Sequence, residues 1–301
     1  KDAGHEATLI SYGRKNAYTQ QIESERIELV QVFKMNDPLR IKRVWGLYKV
    51  LRDFRVDVAY SYKHSTCLFG MLAAILAGVP CIQSSCRGFC WLGFMSGRAQ
   101  RHARQGWYSS NKLIDLVFLQ FVRVLSRFSV GWTVPSRQMR VFAALQFLVP
   151  VRDVHVVYNA VLPEDCRSSL SAEQARARLD LPAGAKVVTI VGSLRPVKNH
   201  AMLLRVARLS LDWPTPPVFL IVGDGPLRAD LQQEVHRLGL EGRVRFLGDR
   251  NDVADILGAT DVNVSTSVSE GLPNTLIEAS MAGVVCVATR NGGSSDVVMN
   301  H

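Results

Sequence analysis

Two acidic residues, Glu270 and Glu278, stand eight positions apart in the segment SEGLPNTLIEAS. Pro273 between them favours the first turn of a helix, where backbone N–H groups lack an intrahelical acceptor and attract anions. Glu278 would lie about 7 Å along the helix axis, on the face of Asn274 and Thr275. A carboxylate placed there can accept hydrogen bonds from a vicinal diol. The spacing predicts an anion site beside a diol-binding acid; the alternative is a helix with an acidic start and one surface glutamate.

A second group of chemically capable residues lies in VGSLRPVKNH at 191–200. Arg195 and Lys198 follow a predicted strand, from which two cations can reach a phosphate. Opposite an anion site they would form a diphosphate clamp; taken alone they equally fit solvated surface charges. In VGDGP at 222–226, Gly223 indicates a tight turn, but Arg228 occupies the position where a dinucleotide fingerprint needs its third glycine.

The elements that must position these residues alternate along the chain. Short β-branched runs are separated by longer segments of helical period, which predicts parallel sheets covered by helices. Residues 161–301 contain five such runs, and the helix after the second run is predicted to carry Pro226 in its first turn. In sheets of this kind, ligands bind at the carboxyl ends of the strands. The polar segment 163–184 fits a linker with a short helix, so a domain border is predicted nearby.

Charge is distributed unevenly between the two halves. Residues 1–160 contain 22 Lys and Arg against 10 Asp and Glu, a net charge of +12, and residues 161–301 contain 14 against 16, a net charge of −2. The basic half predicts an anionic partner, either nucleic acid or a membrane surface. The stretch KLIDLVFLQFVRVLSRF at 112–128 combines helical apolar spacing with basic residues. It fits a core helix with a solvated face or a helix lying on lipid headgroups.

Composition excludes several classes of protein. An apolar fraction of 48% excludes a disordered chain, and the apolar stretches are too short to span a bilayer. Six cysteines in 301 residues cannot form a disulfide scaffold, and they predict reduced, buried thiols in the cytoplasm. His64 with Cys86 and Cys90 is the alternative, a metal site, although the spacing is not a zinc pattern. The chain opens without Met at Lys1, and we expect it to be a fragment cut at both ends.

Six segments in order resemble the retaining glycosyltransferases of family four. They are VVYNAV, VGSLRPVKNH, FLIVGDGP, VRFLGD, SEGLPNTLIEAS and VATRNGG. The resemblance implies the GT-B fold, which is α/β with two Rossmann-like domains facing each other. It assigns acceptor binding to residues 1–160 and nucleotide-sugar binding to residues 161–301, with the first strand and the last helices missing at the chain ends.

The resemblance also implies residue roles on the donor side. Glu270 contacts the transferred sugar near the reacting carbon, Lys198 binds phosphate, and Glu278 holds the ribose hydroxyls. The helix start that meets the donor comprises Gly271, Leu272, Pro273, Asn274 and Thr275.

The resemblance also implies roles at positions where this chain has a different residue from many relatives, and at positions whose backbone lines the donor pocket. Ser193 replaces an arginine that many relatives have, so its catalytic duty passes to Arg195. Gly223 and Leu247 fall at strand ends that line the donor pocket. On the acceptor side, Cys86 and Arg87 stand where many relatives have a histidine, which leaves His64 and Arg87 as the candidates for polar contacts.

The expected activity is transfer of a hexose-type sugar from a nucleoside diphosphate to a lipid-linked saccharide or polysaccharide precursor, with retention of configuration. We expect no metal, no cofactor and no nucleic acid partner, and a cytoplasmic protein that binds peripherally to an anionic membrane. The alternatives are a non-catalytic or truncated nucleotide-sugar-binding relative, and a dinucleotide-dependent oxidoreductase or epimerase. The missing third glycine and the Glu-x7-Glu spacing argue against the latter.

Overall fold

A computed structural model describes residues 8–11, 28–31, 41–62, 64–87 and 112–298. They form two compact units. The first unit contains the described residues up to 86 together with 112–133, and the second contains Arg87 and residues 134–298.

The first unit is built from parallel strands and three helices. Its strands are β1 (Thr8–Ser11), β2 (Glu28–Gln31), β3 (Val58–Tyr62), β4 (Cys81–Ser85) and β5 (Gly131–Val134), of which the last residue belongs to the second unit. β1 pairs with β2, and β4 lies between β3 and β5, all in parallel. The helices are α1 (Ile41–Asp53), α2 (His64–Leu76) and α3 (Lys112–Leu125). The predicted runs VDVAYSY and VPCIQSS therefore form adjacent strands.

Helix α2 is apolar from Cys67 onward, and its residues Cys67, Met71 and Ala74 are buried. It packs on β3, β4, α1 and α3. Burial raises the pKa of the Cys67 thiol to about 12, so this thiol stays protonated. Among the described cysteines, Cys67, Cys81, Cys166 and Cys286 are free thiols.

The second unit contains the remaining elements. Its strands are β6 (Val154–Val156), β7 (Val187–Val191), β8 (Val218–Val222), β9 (Val244–Gly248), β10 (Val262–Ser265) and β11 (Val285–Ala288). Its helices are α4 (Arg137–Phe147), α5 (Ala172–Arg178), α6 (His200–Leu209), α7 (Arg228–Arg237), α8 (Val253–Gly258), α9 (Asn274–Met281) and α10 (Ser294–Val297). Each predicted run of residues 161–301 is a strand.

Five of these strands form one parallel sheet in the order β11-β10-β7-β8-β9. One face buries Ile190 against Leu203 and Leu204 of α6, and the other buries Val187 against Ile256 of α8. Helices cover both faces, so the strands are continuous apolar runs rather than alternating ones. Parallel sheets with helical layers confirm the predicted α/β class.

The strand order determines where a ligand can enter. The chain passes from the central β7 outward to β8 and β9, then crosses to β10 on the other side of β7. The loops after β7 and β10 therefore leave the same edge of the sheet in opposite directions. Such a switch point opens a crevice at the carboxyl ends of the strands.

Helix α7 begins two residues later than the sequence predicts. Pro226 lies in the preceding turn, because Gly225 N donates to Asp224 Oδ1 (2.6 Å) and Leu227 N donates to Leu194 O (3.1 Å). Arg228 then starts the helix and pairs with Asp224 at 2.6 Å. The arginine that breaks the dinucleotide fingerprint thus stabilises the turn.

The border between the compact units lies upstream of the predicted domain border at residue 160. Val157 N donates to Val134 O at 2.8 Å, and Arg137 N donates to Asp296 Oδ2 at 2.7 Å. The first bond lies within residues 134–157, and the second ties the start of α4 to α10 of the second unit. The predicted linker contains α5, whose start is capped reciprocally by Ser171 and Gln174.

Candidate active site

The loops after β7 and β10 are joined by two hydrogen bonds at the switch point. Thr266 Oγ1 donates to Lys198 O at 2.9 Å, and Val268 N donates to Val197 O at 2.9 Å. These bonds fix the backbone on which Lys198 and Glu270 stand. Two segments that the sequence identified separately therefore form one site.

Lys198 and Glu270 form an ion pair in this site. Lys198 Nζ lies 2.7 Å from Glu270 Oε1, and Ser267 Oγ donates to the same oxygen at 2.7 Å. The side chains are 23% and 15% exposed, so the pair is largely desolvated yet open to solvent on one side. When a bond breaks into a negative and a positive fragment, a cation can stabilise the negative fragment and an acid can stabilise the positive one. Lys198 and Glu270 provide one group of each kind at contact distance.

The loop after β11 supports the Glu270 loop from behind. Thr289 Oγ1 donates to Ser267 O at 2.5 Å, Asn291 Nδ2 donates to the same carbonyl, and Gly293 N donates to Glu270 O at 3.1 Å. Sequence reasoning assigned no role to Ser267, Thr289 or Asn291. The Asn-Gly-Gly run after a predicted strand was the available signal, since it marks a tight turn.

Helix α9 begins beside this pair. Pro273 precedes its first residue in an extended conformation, and no side chain caps the helix start. The first-turn N–H groups therefore have no side-chain acceptor and favour an anion. A Cβ at Gly271 would overlap Arg87 O, so only glycine permits this approach of the two backbones. Leu272 is buried, whereas Asn274 is exposed and Thr275 half-buried.

Arg87 and Asn159 form a polar network next to the α9 start. Arg87 Nη1 donates to Asn159 Oδ1, and Asn159 Nδ2 donates to Leu272 O (3.2 Å) and to Asn274 Oδ1 (2.6 Å). The structure thus places the Arg87 side chain next to the α9 start, and its acceptor contact stays a prediction. Asn159 was missed as a site residue, although it lies within the quoted VVYNAV segment.

Glu278 lies one turn inside α9 and is half-buried. Its pKa is raised above the ordinary value, mainly by burial and further by the nearby Asp165 carboxylate. Among the described residues, none donates a hydrogen bond to this carboxylate. Its oxygens therefore remain available to hydroxyl donors of a ligand, as the ribose role requires.

The loops after β7 and β8 pack backbone against backbone. Gly223 has φ = 122°, and a Cβ there would overlap Gly192 O. Ser193 and Arg195 are exposed at this end of the sheet. The Leu247 side chain is partly buried against the core cluster that contains Val187 and Ile256.

The remaining predicted positions lie in the first unit or outside the described residues. His64 begins α2, and Cys86 is buried after β4, whereas Cys90 falls outside the described ranges. No group of three or more His, Cys, Asp or Glu within those ranges could hold a metal ion. Over the same residues, no helix has both the length and the apolar character needed to cross a membrane.

His200, the first residue of α6, is a buried ionisable group that the sequence did not single out. It is 1% exposed, and no described residue hydrogen-bonds either ring nitrogen. Burial, with a smaller contribution from Lys198, lowers its pKa to about 4. The imidazole is therefore neutral near pH 7 and adds no charge beside Lys198.

This lowered pKa predicts a pH-dependent stability. An unfolded histidine titrates near 6.5, so between pH 6.5 and 4 the unfolded state binds more protons and stability falls as the pH falls. At pH 5 the loss is about 2 kcal/mol relative to neutral pH. Urea unfolding at pH 7.5 and pH 5 should show a smaller acid loss in His200→Leu than in wild type. The exposed-site control His155→Leu should keep the wild-type loss, and an equal loss in all three proteins would contradict this assignment.

Comparison with known proteins locates the chain in a family. The model of the Glycosyl transferase 4-like domain matches residues 1–160, and that of Glycosyl transferases group 1 matches residues 171–301.

Among named relatives, the UDP-Gal:alpha-D-GlcNAc-diphosphoundecaprenol alpha-1,3-galactosyltransferase of Escherichia coli is 27% identical over 87% of this chain and 65% of its own length. The Vi polysaccharide biosynthesis protein VipC/TviE of Salmonella typhi is 30% identical over 82% of this chain and 40% of its own. The chain thus spans less than two thirds of either relative.

Solved structures agree on the fold. The crystal structure of HepE from Anabaena in complex with UDP matches 95% of this chain and 74% of its own with a TM-score of 0.76, at 21% identity. The GT-B architecture expected from the sequence is thereby confirmed. On the family models and this fold, the chain belongs to the GT-B glycosyltransferases, with a Glycosyl transferase 4-like domain followed by a group 1 domain.

Proposed function

We propose that this chain transfers a hexose from a nucleoside-diphosphate sugar to a lipid-linked saccharide or polysaccharide precursor, with retention of anomeric configuration. The observation that carries the proposal is the Lys198–Glu270 pair at the switch point, beside the uncapped start of α9. A sugar diphosphate needs cationic and N–H partners for its phosphates and an acid near its sugar. This edge of the sheet offers all three.

The donor is proposed from the printed names of similar proteins. HepE from Anabaena was crystallised with UDP and with UDP-glucose, and the Escherichia coli relative is named for UDP-Gal. A uridine diphosphate hexose is therefore the donor to test first. The same Escherichia coli name includes a diphosphoundecaprenol acceptor, which supports a lipid-linked acceptor here.

The transfer separates charge in a way that the site residues can stabilise. The bond between the anomeric carbon and the diphosphate oxygen breaks, and its electron pair stays on that oxygen. Lys198, Arg195 and the α9 start stabilise the growing negative charge, while Glu270 stabilises positive charge on the sugar ring. The acceptor hydroxyl oxygen bonds to the same face of the anomeric carbon, and its proton passes to the departing diphosphate. Glu278 accepts hydrogen bonds from the ribose hydroxyls.

The proposed donor binding is tested by thermal shift and by turnover with separate donors. UDP, UDP-glucose and UDP-galactose should raise the Tm, whereas NAD should not. A shift with NAD alone would favour the oxidoreductase or epimerase alternative, and binding of UDP without turnover in a longer chain would favour a non-catalytic relative.

We also propose that no divalent metal is needed, because cationic side chains face the diphosphate. Turnover in excess EDTA should therefore equal turnover without it.

We further propose that the first unit binds peripherally to the cytoplasmic face of an anionic membrane. Along α3 and the 3₁₀ turn that follows it, Val117, Phe121, Val124 and Phe128 recur at helical spacing and are 48–60% exposed. The residues at 123 and 127 on the same stretch are arginines. The exposed apolar stripe can insert into the acyl boundary of a membrane, while the flanking arginines contact anionic headgroups. The net charge of +12 on residues 1–160 adds to this attraction.

Vesicle co-sedimentation tests this surface. We expect more protein to bind phosphatidylcholine vesicles that contain phosphatidylglycerol than vesicles of phosphatidylcholine alone. The Phe121→Ser/Val124→Ser variant should lose several-fold in bound fraction, because the buried apolar area supplies part of the binding energy. Leu209→Ser, which removes a 72% exposed leucine from the second unit, is the matched control. Equal binding to both kinds of vesicle would contradict the proposal.

A further inference from the structure

Asn159 is placed next to the candidate site but has no role in the function argued so far. It follows β6 in the second unit and is half-buried. Its side-chain oxygen accepts from Arg87 Nη1, and its side-chain nitrogen donates to Leu272 O at 3.2 Å and to Asn274 Oδ1 at 2.6 Å. The oxygen and both amide hydrogens of this side chain are therefore used.

The orientation of the Asn159 amide follows from the chemistry of its neighbours. A guanidinium can only donate hydrogen bonds, so the Asn159 atom that faces Arg87 must be the oxygen. A backbone carbonyl can only accept, so the atom that faces Leu272 O must be the NH2 group. Two neighbours of opposite character thus define the same orientation independently.

This orientation in turn defines that of Asn274. The second hydrogen of the Asn159 NH2 group points to Asn274, so the Asn274 atom that receives it must be the oxygen. The NH2 group of Asn274 is left on the other side. Asn274 is exposed, and no described residue accepts a hydrogen bond from its NH2 group.

Asn274 is also the first residue of α9, where anions are favoured. Its amide therefore presents hydrogen-bond donors, and not an acceptor, at the start of the helix, four residues after Glu270. An amide turned the other way would present a partial negative charge to a diphosphate.

We propose that Asn159 is a positioning residue that orients the Asn274 side chain, so that Asn274 donates to the diphosphate of the bound nucleotide sugar. This inference rests on the proposed function, because it names the diphosphate as the group that Asn274 meets. The hydrogen bonds from Arg87 to Asn159 and from Asn159 to Asn274 determine which end of the Asn274 amide, the NH2 group or the oxygen, faces the ligand.

Asn159→Asp separates orientation from packing. The introduced carboxylate has nearly the same shape as the amide, but it cannot donate to Asn274 or to Leu272 O. It still accepts from Arg87, and the ion pair formed there offsets the lost bond to Leu272 O. Asn274 would then turn its NH2 group toward this carboxylate and present its oxygen to the phosphates. We expect a Tm close to that of wild type and a Kd for UDP about tenfold weaker, the scale of one charge-assisted hydrogen bond lost.

A double-mutant cycle tests whether the effect passes through Asn274. Asn274→Ala should also weaken UDP binding, and Asn159→Asp should add nothing further in the Asn274→Ala background. Asn251→Asp places the same added charge on an exposed asparagine of the same unit and should bind UDP like wild type. With turnover, KM for the donor should rise in Asn159→Asp while kcat changes little.

A second readout does not depend on the ligand. In ¹⁵N-labelled protein, the Asn274 side-chain NH2 signal, assigned by its loss in Asn274→Ala, should exchange more slowly with water in Asn159→Asp because it becomes bonded to the introduced carboxylate. Wild-type Kd for UDP in Asn159→Asp, unchanged exchange, or additive losses in the double mutant would each overturn the role of Asn159. Failure of wild type to bind UDP would instead overturn the proposed function, while the exchange readout would still report the orientation.

Discussion

Replacing Lys198 with alanine should lower kcat/KM for the nucleotide sugar by about 10²–10³-fold, the usual effect of removing one preorganised partner of a developing charge. The change removes the ammonium that lies 2.7 Å from Glu270 Oε1. It also leaves the 15% exposed Glu270 carboxylate without its counter-ion, facing the donor phosphates. Initial rates across donor concentrations, with Tm as the measure of folding, give the result.

Lys186→Ala is the matched control for this prediction. Lys186 also pairs with an acid, Asp261, at 3.4 Å in the same unit, but its side chain is 70% exposed and away from the switch-point loops. It should keep wild-type kinetics. If Lys198→Ala and Lys186→Ala behave alike, the phosphate role of Lys198 is wrong.

Glu270→Gln should lower kcat by about 10²-fold or more while leaving the affinity for UDP equal to wild type or slightly tighter. The glutamine keeps an oxygen that can accept from Ser267 Oγ and Lys198 Nζ, each 2.7 Å from the Glu270 carboxylate, so the loop geometry is retained. The lost negative charge no longer opposes the diphosphate, which explains the retained affinity. Turnover falls because nothing then stabilises positive charge on the sugar ring.

Calorimetric UDP titration and single-turnover rates separate these two effects for Glu270→Gln. Glu241→Gln changes an acid whose side chain is 55% exposed and pairs with His236, so it should match wild type in both measurements. A parallel fall in affinity and rate for Glu270→Gln would mean that Glu270 acts by holding Lys198, and its assignment to the sugar would fail.

The location of the site could be predicted because it follows from local patterns. Apolar runs identified the strands, and Pro273 together with the Glu-x7-Glu spacing identified the helix that starts at their edge. Carboxyl ends of parallel strands meet at one edge of a sheet, which brings Lys198 and Glu270 to the same region.

The partners of these residues could not be predicted in the same way. Lys198 and Glu270 are 72 residues apart, and Asn159 and Asn274 are 115 apart. Their contacts depend on strand order, side-chain direction and loop path, none of which appears in local periodicity. Arg87 shows the consequence, since its position relative to the family pattern indicated an acceptor role while its guanidinium bonds to Asn159. Pro226 likewise fitted a helix start, but hydrogen bonds from the flanking backbone N–H groups keep it in a turn.

Near the α9 start, three stretches of main chain touch with no side chain between them. A Cβ at Gly271 would overlap Arg87 O, and a Cβ at Gly293 would overlap Gly271 O. Attempts to engineer donor preference by saturation mutagenesis should therefore leave both glycines unchanged, because every replacement would force these stretches apart before it altered selectivity. Diversity belongs instead at an exposed position such as Ser193, where new side chains can be accommodated without moving the scaffold.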